Sequence, residues 1–358
     1  METTCSIDEG SVKMNIHKRI LMLALSVLLL TGCGKTVVLT SGFAEGEIFK
    51  INSVNCTKAE MNIYLANMAN AYESTFGEEI WTTSTETQTI EEAFKDTVLA
   101  KVSKIKVMNL MAEEEKISLS SDEKKSLKKA AKAYMKTLSK EEADILGAEE
   151  DIVYRMYSEY ATAEKVYNSI VDDVTMEISD DDARSITVKE LFIKTYHEDS
   201  QGRLVDYTDA NKAEARKRAT ELRELAVTGT DFDELCAKYN EEEESIHTVR
   251  RGEKPESYEK VAFDLEEGEI SEIVSTEDGY YILKCISTYE RKETEANKQA
   301  IIEAEKNRVF EEKYDAFLAT LTGNLNEKEW NQTAIIHDDS VNTYQFFEIY
   351  TDIMINGK

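Results

Sequence analysis

Between residues 48 and 182 the hydrophobic positions follow a helical rhythm, and just beyond, near Ser185, the rhythm changes to that of strands. Ile48-Phe49-Lys50-Ile51-Asn52 alternates apolar and polar residues up to a turn, which predicts a short strand. After it, apolar residues recur every three or four positions. The sets are Met61, Leu65, Met68 and Tyr72; Ile90, Phe94, Val98, Val102, Ile105 and Met108; Leu127, Ala131, Tyr134 and Leu138; and Ile152, Met156, Tyr160, Ala163, Tyr167 and Ile170. Each set lies on one face of a helix. Thr57 with Glu60, Thr89 with Glu92, Ser120 with Glu123 and Ser139 with Glu142 have the form of capping boxes, in which hydroxyl and carboxylate each satisfy an orphan backbone donor. Gly147 reads as a helix stop.

From Ile186 to Ile193 the residues predict a strand, followed by an amphipathic helix from about Ala210 to Val227 with Ala213, Ala219, Leu222 and Leu225 facing inward. A short helix through Phe232, Leu235, Cys236 and Tyr239 and a third from Tyr258 to Leu265 come next. Glu269–Val274 and Gly279–Cys285 read as two closing strands, so the segment 183–288 is a compact α+β unit. A last long helix, from about Thr294 to Leu321, carries Ile302, Val309, Phe310, Tyr314, Phe317 and Leu321 in one stripe. So small a unit does not cover a face that long, and the helix is expected to return to the N-terminal helices. Tyr344, Phe346, Phe347 and Tyr350 mark the end of the 289–358 segment as packed.

Composition sharpens this picture in two ways. One proline and 14 glycines in 358 residues leave helix as the default state. A net charge of -28 excludes nucleic acid as a partner, because binding phosphates needs a basic face, and it favours basic or neutral polypeptides. The five cysteines, Cys5, Cys33, Cys56, Cys236 and Cys285, have neither zinc spacing nor a disulfide framework. The acidic runs Asp180-Asp181-Asp182 and Glu241-Glu242-Glu243-Glu244 lack the spaced ligands and turn glycine of a calcium loop. Gly34-Lys35-Thr36 lacks the first glycine of a phosphate loop. No metal and no cofactor is expected.

The first 32 residues carry chemistry of another kind. Lys13, His17, Lys18 and Arg19 precede the apolar run Ile20–Leu30, and Thr31-Gly32 precede Cys33. This arrangement resembles a bacterial lipoprotein signal, which implies cleavage before Cys33, lipidation of its thiol, and residence at the outer face of the cell membrane. Two acyl chains, at about 0.8 kcal/mol per buried methylene, make such an anchor stable. Residues 33–47 then read as a tether.

The 183–288 unit resembles a parvulin-type peptidyl-prolyl isomerase domain. The resemblance rests on Thr230-Asp231-Phe232-Asp233-Glu234-Leu235-Cys236-Ala237-Lys238-Tyr239, on Tyr258-Glu259-Lys260-Val261-Ala262-Phe263, and above all on Leu265-Glu266-Glu267-Gly268-Glu269-Ile270-Ser271 followed by Asp278-Gly279-Tyr280-Tyr281-Ile282-Leu283-Lys284. The preceding helices resemble those of secreted foldases of the PrsA and SurA type. The resemblance implies a helical chaperone domain completed by the C-terminal helix, an inserted four-stranded antiparallel sheet with helices, and unfolded or folding secreted polypeptides with X-Pro bonds as clients. By alignment, Ile246, Lys254, Tyr258 and Phe263 line the proline pocket. Glu190 and Tyr281 replace the two usual histidines, and Glu242 falls near the rim acid. A carboxylate on one strand accepting from a phenol on its neighbour would substitute for the histidine pair, so a Glu190–Tyr281 hydrogen bond is expected. The alternative is a chaperone or peptide-binding lipoprotein that keeps the fold without catalysis. A solute-binding lipoprotein shares the anchor but needs two large α/β lobes.

Overall fold

The computed structural model describes residues 42–84, 88–200 and 202–357. The signal segment, Cys33 and most of the tether lie outside them. The described residues divide into two compact units, one of those up to Asp172 together with those from Phe310 onward, the other of those between Asp173 and Val309.

In the first unit, β1 (Glu47–Ile51) and β2 (Val54–Thr57) form a hairpin. Five helices follow: α1 (Lys58–Phe76), α2 (Ile90–Glu115), α3 (Ser121–Met135), α4 (Lys140–Leu146) and α5 (Glu150–Val171). Three of the expected capping boxes close, at Thr57, Thr89 and Ser120. The fourth does not. Ser139 caps α4 by accepting from the Glu142 amide, but the Glu142 carboxylate accepts instead from the amides of Asn342 and Thr343, both at 2.8 Å. A tertiary demand from the C-terminal tail thus overrides the local motif.

The second unit is built on β3 (Ser185–Lys194), followed by a small hairpin of β4 (Tyr196–Glu198) and β5 (Leu204–Asp206). Helices α6 (Asp209–Val227) and α7 (Phe232–Tyr239), strand β6 (Ile246–Arg250), helix α8 (Glu256–Ala262), and strands β7 (Val274–Ser275) and β8 (Gly279–Ser287) complete it. The antiparallel sheet has the order β6-β3-β8-β7. One face packs on α6 and α7 through Leu191, Ile193, Ala219, Leu222 and Leu235, the other on α8 through Val188, Phe192, Tyr258 and Leu283. Two expectations shift here. The buried face of α6 is Ala215, Ala219, Leu222 and Ala226, whereas Ala213 and Leu225 are exposed. The strand expected over Glu269–Val274 narrows to β7 plus an isolated bridge between Ile270 and Lys284.

Gly279, at the head of β8, sits where a side chain has no room. An added Cβ would fall against the Ile193 carbonyl oxygen and 2.5 Å from Phe192 Cε2. Gly279→Ala is expected to destabilise this unit by about 1–3 kcal/mol, the usual range for forced overpacking, and urea denaturation followed by tyrosine fluorescence checks it.

Helix α9 (Arg291–Leu318) starts in the second unit, where the Thr294 hydroxyl accepts from the Ser185 amide at 3.0 Å. From Phe310 it belongs to the first unit, with the Phe310 ring 5.2 Å from that of Tyr167 and Lys104 paired to Glu311. Then β9 (Gly323–Leu325) pairs with β1, and α10 (Glu327–Gln332) and α11 (Phe346–Met354) close the unit. The protein is thus a mixed helix-and-sheet fold with a helical N-terminal region and antiparallel sheets. Among the described residues no helix is long and apolar enough to cross a membrane.

Candidate functional site

Along β3, Ile186, Val188, Glu190 and Phe192 share one face of the sheet by the two-residue repeat of a strand. Three of them belong there by hydrophobicity and one does not. Glu190 is 1% exposed, inside the apolar layer between sheet and α8. Burying a carboxylate is costly unless partners surround it. One partner is the phenol of Tyr258, which donates to Oε1. The other oxygen, Oε2, has no hydrogen-bond partner, and His247 Nε2 lies 3.8 Å from it.

The strand pairing decides who else reaches this carboxylate. His247 on β6 pairs with Val188, and paired residues share a face, so the imidazole stands on the Glu190 side. Ile246 pairs with Lys189 and belongs to the opposite face, where it is 53% exposed. Ile246 therefore stands on the face of the sheet away from Glu190, and His247 on the face that carries it. The loop leading into β6 is held by Asn240, whose side chain accepts from the Phe192 amide at 2.8 Å and donates to the carbonyls of Glu242 and Glu244 at 3.0 and 3.1 Å. That brace brings Glu242 close to Glu190 and His247. Desolvation of the Glu242 carboxyl, and then the Glu190 charge, raise its pKa above the usual carboxylate value.

Tyr281, on β8, pairs with Phe192 rather than with Glu190, and its ring stacks on that phenylalanine at 4.4 Å. Its hydroxyl donates to Asp278 Oδ2 at 3.0 Å. The expected Glu190–Tyr281 hydrogen bond is thus not made; Tyr258, reaching in from α8, takes that place. The two tyrosine rings meet edge to face at 5.5 Å. Burial, first, and then the Glu190 carboxylate hold the Tyr258 phenol protonated far above its ordinary range, and burial with Asp278 does the same for Tyr281.

Tyr258 is 1% exposed, so its ring is the floor beneath the site and not an open wall. Lys254 Nζ stands 5.4 Å over that ring. Phe263, 5% exposed, is covered by the guanidinium of Arg251 at 4.3 Å and that of Arg184 at 5.3 Å. It borders a neighbouring cavity of 440 Å³ whose other lining residues are all charged, Arg251, Lys254 and Lys260 against Glu256, Glu259 and Asp264. The structure therefore brings together Glu190, Glu242, Tyr258, Tyr281 and Lys254, adds His247 and Asp278, and sets Phe263 to one side. Cys33 lies outside the described residues.

This sheet-and-helix unit has a recognisable kind. Residues 196–287 match the model of the rotamase family, the PPIC-type PPIase domain, so the chain carries a parvulin-type peptidyl-prolyl isomerase domain. Over 140 residues, 37% of this chain and 40% of the other, it is 29% identical to the foldase protein PrsA of Staphylococcus epidermidis; it is a homologue that spans well under half of that relative's length. Among solved structures it is similar to the peptidylprolyl isomerase PrsA of Bacillus cereus, with 16% identity, a TM-score of 0.37, and 75% of this chain and 97% of that one covered. A second is the PrsA of Bacillus anthracis, with 17% identity, a TM-score of 0.31, and 67% and 99% covered.

Proposed function

We propose that the protein is an extracytoplasmic foldase, tethered to the membrane through lipid on Cys33, that holds unfolded secreted polypeptides and isomerises their X-Pro bonds. The observation that carries this reading is the match of residues 196–287 to the PPIC-type domain. Prolyl rotation needs no covalent step: its barrier of about 18–20 kcal/mol is mostly lost amide conjugation. A site lowers it by binding the twisted amide better than the planar one, through apolar contact, exclusion of water and a donor near the amide nitrogen. Here His247 and Lys254 are the donors at the rim, and Glu190 with Tyr258 fixes the floor under them. Glu242 and Tyr281 flank that floor. In the first unit, a cavity of 810 Å³ bordered by Trp81, His337, Tyr344 and Glu73 offers aromatic walls and an acid to a basic or aromatic client segment.

A protease-coupled prolyl-peptide assay on the mature chain tests the catalytic part. Turnover above the uncatalysed rate is expected, with kcat/KM about tenfold lower in Tyr258→Phe and Glu190→Gln, the equivalent of about 1.4 kcal/mol of lost positioning. A second reading, a proline-segment binding domain without turnover, is favoured by the near-complete burial of Tyr258 and Tyr281 where an open pocket would be. No acceleration, together with suppressed aggregation of an unfolded secreted protein, selects it. Detergent-phase partitioning that is lost in Cys33→Ser tests the anchor.

A further inference from the structure

We propose that Glu190, Glu242 and His247 form a binding site for a divalent transition-metal ion of the zinc type. Among the described residues these three form one group in which a ligand atom from each, two carboxylate oxygens and an imidazole nitrogen, lies within 4.8 Å of the others. None of this is visible as spacing, since the residues come from β3, a loop and β6 and meet only through strand pairing and the Asn240 brace. The independent sign of a missing ligand is Glu190 Oε2. It is a buried carboxylate oxygen without a hydrogen-bond partner, on a side chain 1% exposed, and it faces His247 Nε2 at 3.8 Å. A buried charged acceptor left unsatisfied costs more than a neutral one, and a cation bound there removes that cost.

Chemistry selects the kind of ion. Zinc takes imidazole nitrogen and carboxylate oxygen at about 2.0–2.2 Å in tetrahedral geometry, so its ligand atoms stand about 3.3–3.5 Å apart. The His247–Glu190 separation is already close to that edge, and the remaining closure falls to Glu242, on the exposed loop. Calcium and magnesium prefer all-oxygen shells, which the imidazole disfavours. Two carboxylates and a neutral imidazole match a dication in charge, with the fourth position left to water. Binding requires the Nδ1–H tautomer of His247 and release of Nε2 from its 3.3 Å contact with the Glu244 carbonyl. The site stands whether or not the domain turns over prolyl bonds, and its readout does not involve turnover.

Titration of the metal-free mature chain with Zn2+ by calorimetry, and with Co2+ by visible absorption, tests it. One ion per chain is expected, with the intense bands of four-coordinate cobalt and a zinc-dependent rise in the melting temperature. His247→Ala and Glu242→Gln are each expected to weaken zinc by more than about a hundredfold, beyond the roughly 10–100-fold that the loss of an outer-shell partner costs. Both substitutions fall at partly or fully exposed positions, and circular dichroism confirms that the variants fold. Absence of binding, or binding unchanged in His247→Ala because ions sit on other surface acids, overturns the proposal.

Discussion

Lys106→Ala is expected to lower the stability of the first unit by about 3–5 kcal/mol, the range found when one partner of a buried ion pair is removed. Lys106 stands on α2 with a side chain 3% exposed, its Nζ 2.9 Å from Glu60 Oε1 and 2.7 Å from Glu159 Oε2. Glu60 is more deeply buried still, at 1%, and its other oxygen closes the Thr57 capping box by accepting from the Thr57 amide at 2.8 Å. One ammonium thus supports a helix start and the contact of three helices. Without it, the buried Glu60 carboxylate and the partly buried Glu159 carboxylate are left with Arg155 Nε, 3.4 Å from Glu60, as a nearby cation.

The pH dependence separates this from simple loss of packing. Burial pushes the Glu60 pKa up, but Lys106 and the Thr57 amide more than offset it, so it lies below its ordinary value. A carboxyl with a depressed folded pKa contributes stability above its unfolded pKa and loses it as pH falls through the folded one. Glu159 is the opposite case: burial, against the pull of Lys106, raises its pKa. In Lys106→Ala both carboxylates protonate more readily, so the deficit against the parent is expected to be largest near neutrality and to shrink toward pH 4. Urea denaturation of parent and variant at several pH values checks this. A deficit below about 1 kcal/mol, or one independent of pH, would show that the triad is not the support described here.

How much of this was legible beforehand differs by level. Helix positions in the first unit follow from periodicity and capping signals, because both are local, and three of four boxes close as read. The fourth was out of reach since its carboxylate is claimed by residues 200 positions away. Short strands such as β2 and β9 have too few residues to declare a period, and they exist through pairing with β1. On α6, alanines are too small to mark an inner face clearly, and the buried row is displaced from the expected one at two of its four positions. The site depended on register. Around Ser245 an alignment slip of one residue exchanges the faces of Ile246 and His247, which is the difference between an apolar wall and a histidine against Glu190. The sequence pointed to a tyrosine for the Glu190 carboxylate but to the wrong one, because Tyr258 reaches it from a helix over the sheet and not from the neighbouring strand.

Phe346→Ala is expected to cost the first unit about 3–5 kcal/mol, the range for deleting a fully buried aromatic ring. The ring is 0% exposed, stacked on Tyr157 at 4.3 Å and edge-on to Tyr134 at 5.3 Å and Tyr64 at 5.5 Å. Its backbone is held as firmly, the amide donating to Asn67 Oδ1 at 3.0 Å and the carbonyl accepting from Tyr157 Oη at 2.7 Å. Asn67 in turn donates to Tyr134 Oη at 2.6 Å, so three core helices and the tail share one polar network under one ring. Losing the ring leaves a cavity with polar groups at its border, which water enters more readily than it enters an apolar void. Deleting residues 341–358 removes the same ring, strips the Glu142 carboxylate of both amide donors and orphans Asn67 Oδ1, and so is expected to exceed the point substitution. Melting by circular dichroism reads both variants. A deletion variant that melts with the parent would mean that the N-terminal helices close their core alone, and that the tail is a covering layer and not part of the fold.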